Sequence, residues 1–175
     1  MGHAVRMELQ VHARVVLGVL CVEGPAHGFA LARKLSPEAE LGRAWSVSRP
    51  QVYRAIEQLA EAGFARAGEV ESGSRGPGRT PFQITAAGTR TAREWFDQPV
   101  DHLRDARSEL LIKLMLRDRM GLPRSPFIDQ QYQVFVDLTD ALVKRSDADP
   151  ADLVAMWRAE MARGVLAAIG RLRSG

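Results

Sequence analysis

Residues 46–88 constrain the possible folds of this chain more than any other stretch, because a helical pattern is followed at once by two short segments joined by a loop rich in glycine and arginine. Apolar residues recur at helical spacing in the first half, at Val52, Ile56 and Leu59. Residues 64–70 and 81–85 alternate apolar and polar positions on either side of the loop, which predicts two short strands. A helix followed directly by a basic hairpin is typical of a winged helix-turn-helix.

The start of this helix carries both a cap and a basic face. Ser48 and Gln51 have the spacing of a capping box, in which the glutamine side chain reaches back to the serine amide. Arg49 and Arg54 lie on the early part of the outward face, and Glu61 lies near its end. Because the first half of a recognition helix enters the major groove, this polarity fits DNA binding. For Gln51, reading a base and capping the helix remain alternatives.

Further helices are predicted on both sides of this stretch. Residues 9–23 and 27–35 have helical periodicity, whereas residues 37–47 have none and are interpreted as a connection. Thr85 is the expected N-cap of a helix over residues 86–98. The buried side of that helix is predicted to contain Ala92, Trp95 and Phe96.

The second half of the chain is predicted to form three helices, at about residues 103–120, 126–145 and 150–173. An apolar stripe is expected on the third, formed by Leu153, Trp157, Met161, Val165, Ala168 and Leu172. Three amphipathic helices make a thin core, so we expect a second copy of the chain to complete it. The predicted fold is mainly α with a small β-hairpin: a winged helix-turn-helix DNA-binding domain at residues 1–98, then an α-helical dimerisation and effector domain at residues 99–175.

Composition favours a folded protein of a reducing compartment. Of the 175 residues, 46% are hydrophobic and 26% are charged, with a net charge of +3. Cys21 is the single cysteine and lies in an apolar run, so we expect it in the core, without an intrachain disulfide or cysteine-rich zinc site. That run is too short to span a bilayer, and the N-terminus lacks a signal-peptide layout, which indicates a cytoplasmic location without membrane attachment. The scattered histidines predict no metal site, and without a catalytic motif no enzymatic activity or cofactor is predicted.

Several segments together resemble the PadR family of transcriptional regulators. They are EGPAHGFALARKLS (23–36), VSRPQVYRAIEQLAEAGFA (47–65), GRTPFQITAAG (78–88), REWFDQPV (93–100) and SELLIKLMLR (108–117). The resemblance implies a homodimer that represses a nearby promoter until a small effector lowers its affinity for DNA. The long helical tail is similar to the larger subfamily, which has a three-helix C-terminal dimerisation region. Phe29 departs from the tyrosine that the family often carries there.

Two sets of site residues are predicted on these grounds. The candidates for contact with double-stranded operator DNA are Ser48, Arg49, Gln51, Tyr53, Arg54, Arg75 and Arg79. The resemblance implies a phosphate or backbone contact for Tyr53. The candidates for binding a small aromatic or phenolic effector are Trp95, Phe96, His102 and Trp157, for which core packing is the alternative role. The alternative function is a winged helix that binds an acidic protein partner instead of DNA.

Overall fold

The structure is a computed structural model that describes residues 9–70 and 80–174. The chain divides into two compact units, Met1–Phe96 and Asp97–Gly175. The first unit contains α1 (Val11–Glu23), α2 (Gly28–Lys34), α3 (Glu40–Ala44), α4 (Arg49–Glu61), β1 (Ala65–Ala67), β2 (Phe82–Ile84) and α5 (Ala86–Asp97), whose last residue is the first of the second unit. The second contains α6 (Leu111–Arg119), α7 (Ser125–Ala148) and α8 (Leu153–Ser174).

The core of the first unit forms where α1 packs against α4. The apolar stripe predicted on α4 is buried, as are most of the aliphatic side chains of α1. Cys21 is only half-buried, so the expectation of a core cysteine is wrong. The connection predicted at residues 37–47 contains α3, because Leu41 is buried and anchors a single helical turn that is too short to show a periodic pattern.

The hairpin is shorter than the sequence predicted. β1 and β2 pair antiparallel with Ala65 opposite Ile84 and Ala67 opposite Phe82. A bridge outside the hairpin joins Ala26 and Phe82: the Ala26 N–H donates to the Phe82 carbonyl at 3.1 Å, and the Phe82 N–H donates to the Ala26 carbonyl at 2.9 Å. The bridge fixes the α1–α2 turn beside the hairpin. A single bridging residue leaves no pattern in a sequence, so this contact was not predicted.

Thr85 caps α5, as predicted, and also joins it to the turn between α4 and β1. Its Oγ1 accepts a hydrogen bond from the Gly88 N–H at 3.0 Å and donates to the Gly63 carbonyl at 2.7 Å. On α5, Trp95 and Phe96 are buried, with ring centroids 5.3 Å apart. The predicted fold class is confirmed: the described residues are mostly helical, with one small antiparallel hairpin.

The second unit begins with irregular turns instead of the single helix predicted at residues 103–120. A 3₁₀ turn (Leu103–Asp105) and a π turn (Ala106–Leu110) precede α6. The π turn changes the side-chain register: the polar residues Glu109 and Lys113 are buried, whereas Leu111 is 41% exposed. Simple helical periodicity could not predict this shift.

Most of the apolar stripe predicted on α8 does not pack within the chain, although Val165 packs against the core of the second unit. Leu153, Trp157 and Met161 are 72%, 65% and 54% exposed. The buried residues of α8 are instead small or lie near its end: Ala155, Ala159, Ala162 and Ile169. Alanines bring the α8 backbone close to α7, and the bulky apolar side chains are left facing outward.

A buried polar network fixes the segment that follows α5 within the second unit. The fully buried Gln131 of α7 binds both backbone groups of Val100: its Oε1 accepts from the Val100 N–H at 2.7 Å, and its Nε2 donates to the Val100 carbonyl at 3.0 Å. Lys113 Nζ donates to the Gln98 carbonyl at 2.7 Å and lies 3.1 Å from Glu109 Oε1. The bonds of Gln131 to Val100 and of Lys113 to Gln98 were not predicted, because they join residues 31 and 15 positions apart in the chain.

Candidate nucleic-acid interface

The exposed start of α4 presents most of the predicted DNA contacts on one short surface. Ser48, Arg49, Gln51, Tyr53 and Arg54 are all exposed there. Arg75 and Arg79 lie outside the described residues, so their predicted contacts stay predictions.

The capping box of α4 restricts what Gln51 can bind. Gln51 Oε1 accepts from the Ser48 N–H at 3.0 Å and from the Ser48 hydroxyl at 2.8 Å. Because a backbone N–H can only donate, the amide atom that faces Ser48 must be the oxygen. Reading adenine requires a glutamine oxygen and nitrogen together. In the capping conformation Gln51 therefore cannot read adenine in this way, although its Nε2 can still donate to a guanine or a phosphate.

Arg49 lies over two aromatic rings at the side of α4 that faces α2. Its guanidinium carbon is 5.5 Å from the centroid of Phe29 and 5.8 Å from that of Tyr53, within the range of cation–π contacts. Gly28 permits this arrangement, because a Cβ at that position would come within 2.8 Å of the Tyr53 ring. Both rings are part of the surface, with Phe29 46% and Tyr53 38% exposed.

An open groove of about 430 Å³ runs beside these rings, and we call it the aromatic groove. It is lined by His27, Gly28, Phe29, Arg49, Tyr53, Thr80 and Phe82. Its residues come from the start of α2, the start of α4 and the beginning of β2, so the bridge between Ala26 and Phe82 holds its walls together. The groove combines aromatic surface with one positive charge.

A second groove, of about 350 Å³, lies on a different part of the α4 surface, and we call it the polar groove. It is lined by Gln10, His12, Gln51, Arg54, Ala55 and Gln58. These residues come from the N-terminal part of α1 and the outward side of α4. Most of the lining side chains can donate or accept hydrogen bonds, which suits contact with base edges.

The positive charge at the start of α4 is available to a ligand. Among residues 9–70 and 80–174, no carboxylate forms an ion pair with Arg49 or Arg54. The acids of the helix, Glu57 and Glu61, lie in its later turns and are exposed. The α4 surface is therefore positive where it begins and negative where it ends, as the sequence indicated.

The predicted effector residues occupy different environments. Trp95 and Phe96 contact each other with their rings tilted by 42° in the core of the first unit, which fits the alternative role of packing. His102 and Trp157 belong to the second unit and are exposed. An effector role for these residues stays a prediction.

Sequence reasoning missed several residues of the two grooves. In the aromatic groove these are His27, Phe29, Thr80 and Phe82, and in the polar groove Gln10, His12 and Gln58. One signal was available for Phe29, since it lies outside the apolar positions Leu31 and Leu35 of α2 and so had no core to pack into. For the others, only the tertiary contacts place them next to α4.

Residues 9–70 and 80–174 contain no group of three His, Cys, Asp or Glu side chains arranged to hold a metal ion. None of the helices described there has the length and apolar character needed to cross a membrane. Burial raises the pKa of the Cys21 thiol, and the positive charge of Arg93 partly offsets that rise.

Helix α4, the hairpin that follows it and its exposed basic start define a winged helix-turn-helix protein. Residues 16–94 match the model of the Transcriptional regulator PadR-like family, so the resemblance seen in the sequence is confirmed for the first unit. This is a family of transcriptional regulators. No curated protein matches the chain.

Solved structures of regulators are similar to most of the chain at low identity. Bacillus subtilis PadR in complex with operator DNA is 18% identical, with 94% of this chain and 98% of that chain covered and a TM-score of 0.47. The same protein in complex with p-coumaric acid gives 16% identity, the same coverage and a TM-score of 0.44. The Vibrio cholerae virulence activator AphA gives 22% identity, coverage of 93% and 92%, and a TM-score of 0.41.

Proposed function

We propose that this chain is a sequence-specific regulator of transcription that binds double-stranded operator DNA as a cytoplasmic homodimer and represses its target until a small aromatic or phenolic effector releases it. The exposed start of α4, with Arg49 and Arg54 held by no carboxylate among the described residues, is the observation that carries the DNA-binding part. The match of residues 16–94 to the PadR-like family model supports a role in transcription. Repression and release by an effector rest on the family resemblance.

The geometry of α4 supports insertion of its first turns into a major groove. The residues exposed there carry hydrogen-bond donors and positive charge, and phosphates attract such a surface. Glu57 and Glu61 lie in the later turns, where a recognition helix usually leaves the groove. The opposite face of α4 is fixed in the core by Val52, Ile56 and Leu59, so the reading face has a defined orientation within the first unit.

The outward face of α8 supports the homodimer. Leu153, Trp157 and Met161 recur every four residues and are more than half exposed. A contiguous apolar surface of this kind is unusual for a monomer and typical of an interface. A second copy, related by a two-fold axis, would cover it and place two reading helices on one DNA duplex.

Binding to the DNA upstream of the gene for this chain tests the proposal directly. Fluorescence anisotropy of labelled fragments, with unlabelled competitor DNA, should show a discrete specific complex. Arg54→Ala should weaken that complex about tenfold or more, because it removes a hydrogen-bonding group from the exposed face of α4. The control is Arg145→Ala, an exposed arginine near the end of α7 in the second unit. Equal affinities for the two variants would reject α4 as the reading helix.

The oligomeric state tests the role of α8. Sedimentation velocity should give a dimer for the wild type and a monomer for Met161→Asp, because a carboxylate at a buried interface position is costly to desolvate. Gln130→Asp, which adds the same charge to an exposed site on α7, should remain dimeric. A wild-type monomer at micromolar concentration would contradict the proposed assembly.

The effector is tested by titrating the protein–DNA complex with a panel of phenolic acids and other small aromatics. At least one compound should dissociate the complex and change tryptophan fluorescence. If the release is lost in Trp157→Phe or Trp95→Phe, the predicted effector residues take part. Release that both variants retain would argue against them.

A further inference from the structure

We propose that Phe29, Arg49 and Tyr53 form a clamp for one sugar-phosphate unit of the DNA backbone, with Phe29 acting as the residue that positions Arg49. The inference rests on the proposed DNA-binding function and assigns a specific task to the aromatic groove. The phosphate pairs with the Arg49 guanidinium, and the deoxyribose packs against the exposed aromatic rings. Base reading is then left to the polar groove, which contains Arg54.

The contacts of Arg49 limit where its guanidinium can go. Its guanidinium carbon lies 5.5 Å from the Phe29 centroid and 5.8 Å from the Tyr53 centroid. A long arginine side chain on a surface loses rotamer freedom when it binds a ligand, and two ring contacts reduce that loss by selecting a few rotamers beforehand. The Tyr53 ring is in turn fixed against Gly28. The three side chains therefore act as one prearranged unit.

The lining of the aromatic groove favours a sugar-phosphate over a base edge. Beside the guanidinium, its lining includes the three aromatic rings of Phe29, Tyr53 and Phe82. Aromatic carbon offers few hydrogen-bonding partners to a base edge but packs well against the carbon atoms of a deoxyribose. The planar fork of arginine donors matches a phosphate. One positive charge beside apolar walls thus complements one phosphate and its sugar.

The polar groove has the opposite character. Arg54 shares it with His12, Gln51 and Gln58, whose side chains donate and accept hydrogen bonds. Base edges are recognised by such groups, and phosphate contacts mainly fix the register of the protein on the duplex. The two grooves differ in lining, so Arg49 and Arg54 are assigned different partners although they lie only five positions apart on α4.

Single neutral phosphates in the bound DNA provide the test. A series of duplexes is prepared in which one phosphate at a time is a methylphosphonate, and affinities are measured by fluorescence anisotropy on the full-length protein. The wild type should lose about tenfold in affinity at one phosphate per half-site, as expected for a charge-assisted hydrogen bond. Arg49→Ala should bind unmodified DNA about tenfold more weakly and lose sensitivity at that phosphate alone. Arg54→Ala should remain sensitive to the methylphosphonate at that position.

The positioning role of Phe29 is tested by a double-mutant cycle. Phe29→Leu keeps an apolar side chain without the ring and should weaken binding about two- to fivefold, the fold-change expected for an exposed cation–π contact. In the Arg49→Ala background the same change should have no further effect. Phe29→Tyr, which retains the ring, should bind as the wild type does. Circular dichroism checks folding, which these exposed positions should not affect.

Three results would overturn the clamp. Additive losses for Phe29→Leu and Arg49→Ala would show that Phe29 does not act through Arg49. Arg49→Ala could instead lose sensitivity to the replacement of a guanine by 7-deazaguanine and keep its sensitivity to every methylphosphonate. Arg49 would then be a base reader. If every methylphosphonate lowered the affinities of the wild type and of Arg49→Ala by the same factor, Arg49 would not contact a phosphate. A wild-type protein without any specific complex would refute the proposed function itself, and the clamp with it.

Discussion

The two buried hydrogen bonds between Gln131 and Val100 form the contact whose removal we expect to have the largest effect on stability. Gln131→Leu keeps the approximate size of the side chain but removes both hydrogen bonds, of 2.7 and 3.0 Å, to the Val100 backbone. Val100 is only 4% exposed and Gln131 is fully buried, so water has little access to the two groups left without these partners. Each such group costs about 1 to 3 kcal/mol, so the expected loss for the two groups is about 2 to 6 kcal/mol.

A loss of this size is a large part of the stability of an ordinary domain, which is about 5 to 15 kcal/mol. For a unit of this length it should lower Tm by roughly 10 °C or more. The measurement is urea and thermal unfolding by circular dichroism at a fixed protein concentration, because a dimer makes Tm depend on concentration. Hydrogen exchange of the Val100 amide should also accelerate in the variant, since its acceptor has been removed.

The neighbouring glutamine provides a matched control. Gln130 lies on the same helix but is exposed, so Gln130→Leu makes the same chemical change without breaking a buried contact. We expect it to alter the free energy of unfolding by about 0.5 kcal/mol or less. Equal effects of the two substitutions, or unchanged exchange of the Val100 amide in Gln131→Leu, would refute the argument from buried hydrogen bonds.

Three further predictions concern the first unit and α8. Ser48→Ala should lower stability by about 1 kcal/mol in urea unfolding through loss of the α4 cap, and Ser48→Thr should restore most of it. Gly88→Ala should destabilise the fold by about 1 to 3 kcal/mol, because the new Cβ would lie 2.1 Å from the Phe64 carbonyl oxygen. Gly164→Ala, whose Cβ would have no atom nearby, should stabilise it by about 0.5 to 1 kcal/mol. A higher Tm for Gly88→Ala than for Gly164→Ala would contradict this prediction. The Cys21 thiol should react with iodoacetamide more slowly than free cysteine near pH 8, because burial raises its pKa. The thiol of the unfolded chain ionises at lower pH, so the contribution of Cys21 to stability is lost as the pH rises towards the folded pKa. An alkylation midpoint at or below that of free cysteine would contradict a pKa raised by burial.

Local patterns in the sequence were sufficient to predict the buried face of α4 and the cap of α5. The spacing of Val52, Ile56 and Leu59 identified the face that packs on α1, because a helix buries residues at a fixed period. Thr85 was identified as a cap from its position alone, and its bond to the Gly88 amide confirms that prediction. Caps and periods depend on residues close together in the chain, so they can be read without knowledge of the fold.

The two grooves beside α4 required the tertiary structure. Phe29 and Phe82 come from separate elements, and the bridge between Ala26 and Phe82 is what brings them to α4. For Gln51 the sequence left two roles open. The bond from the Ser48 amide determines which atom of the side chain remains available, and this depends on a rotamer that the sequence does not specify.

Local periodicity, capping and charge order predict the winged helix-turn-helix and the polarity of α4, and the quoted segments carry the resemblance of the first unit to the PadR-like family. Which face of α8 packs within the chain depends instead on its contacts with α7. Periodicity showed that Trp157 and Met161 share an apolar stripe, but the alanines on the adjacent face allow closer approach to α7 and take the buried position. The same holds for the interface: the order of residues placed Arg49 and Arg54 on one helix, and packing against Phe29 and Tyr53 gave Arg49 its separate environment.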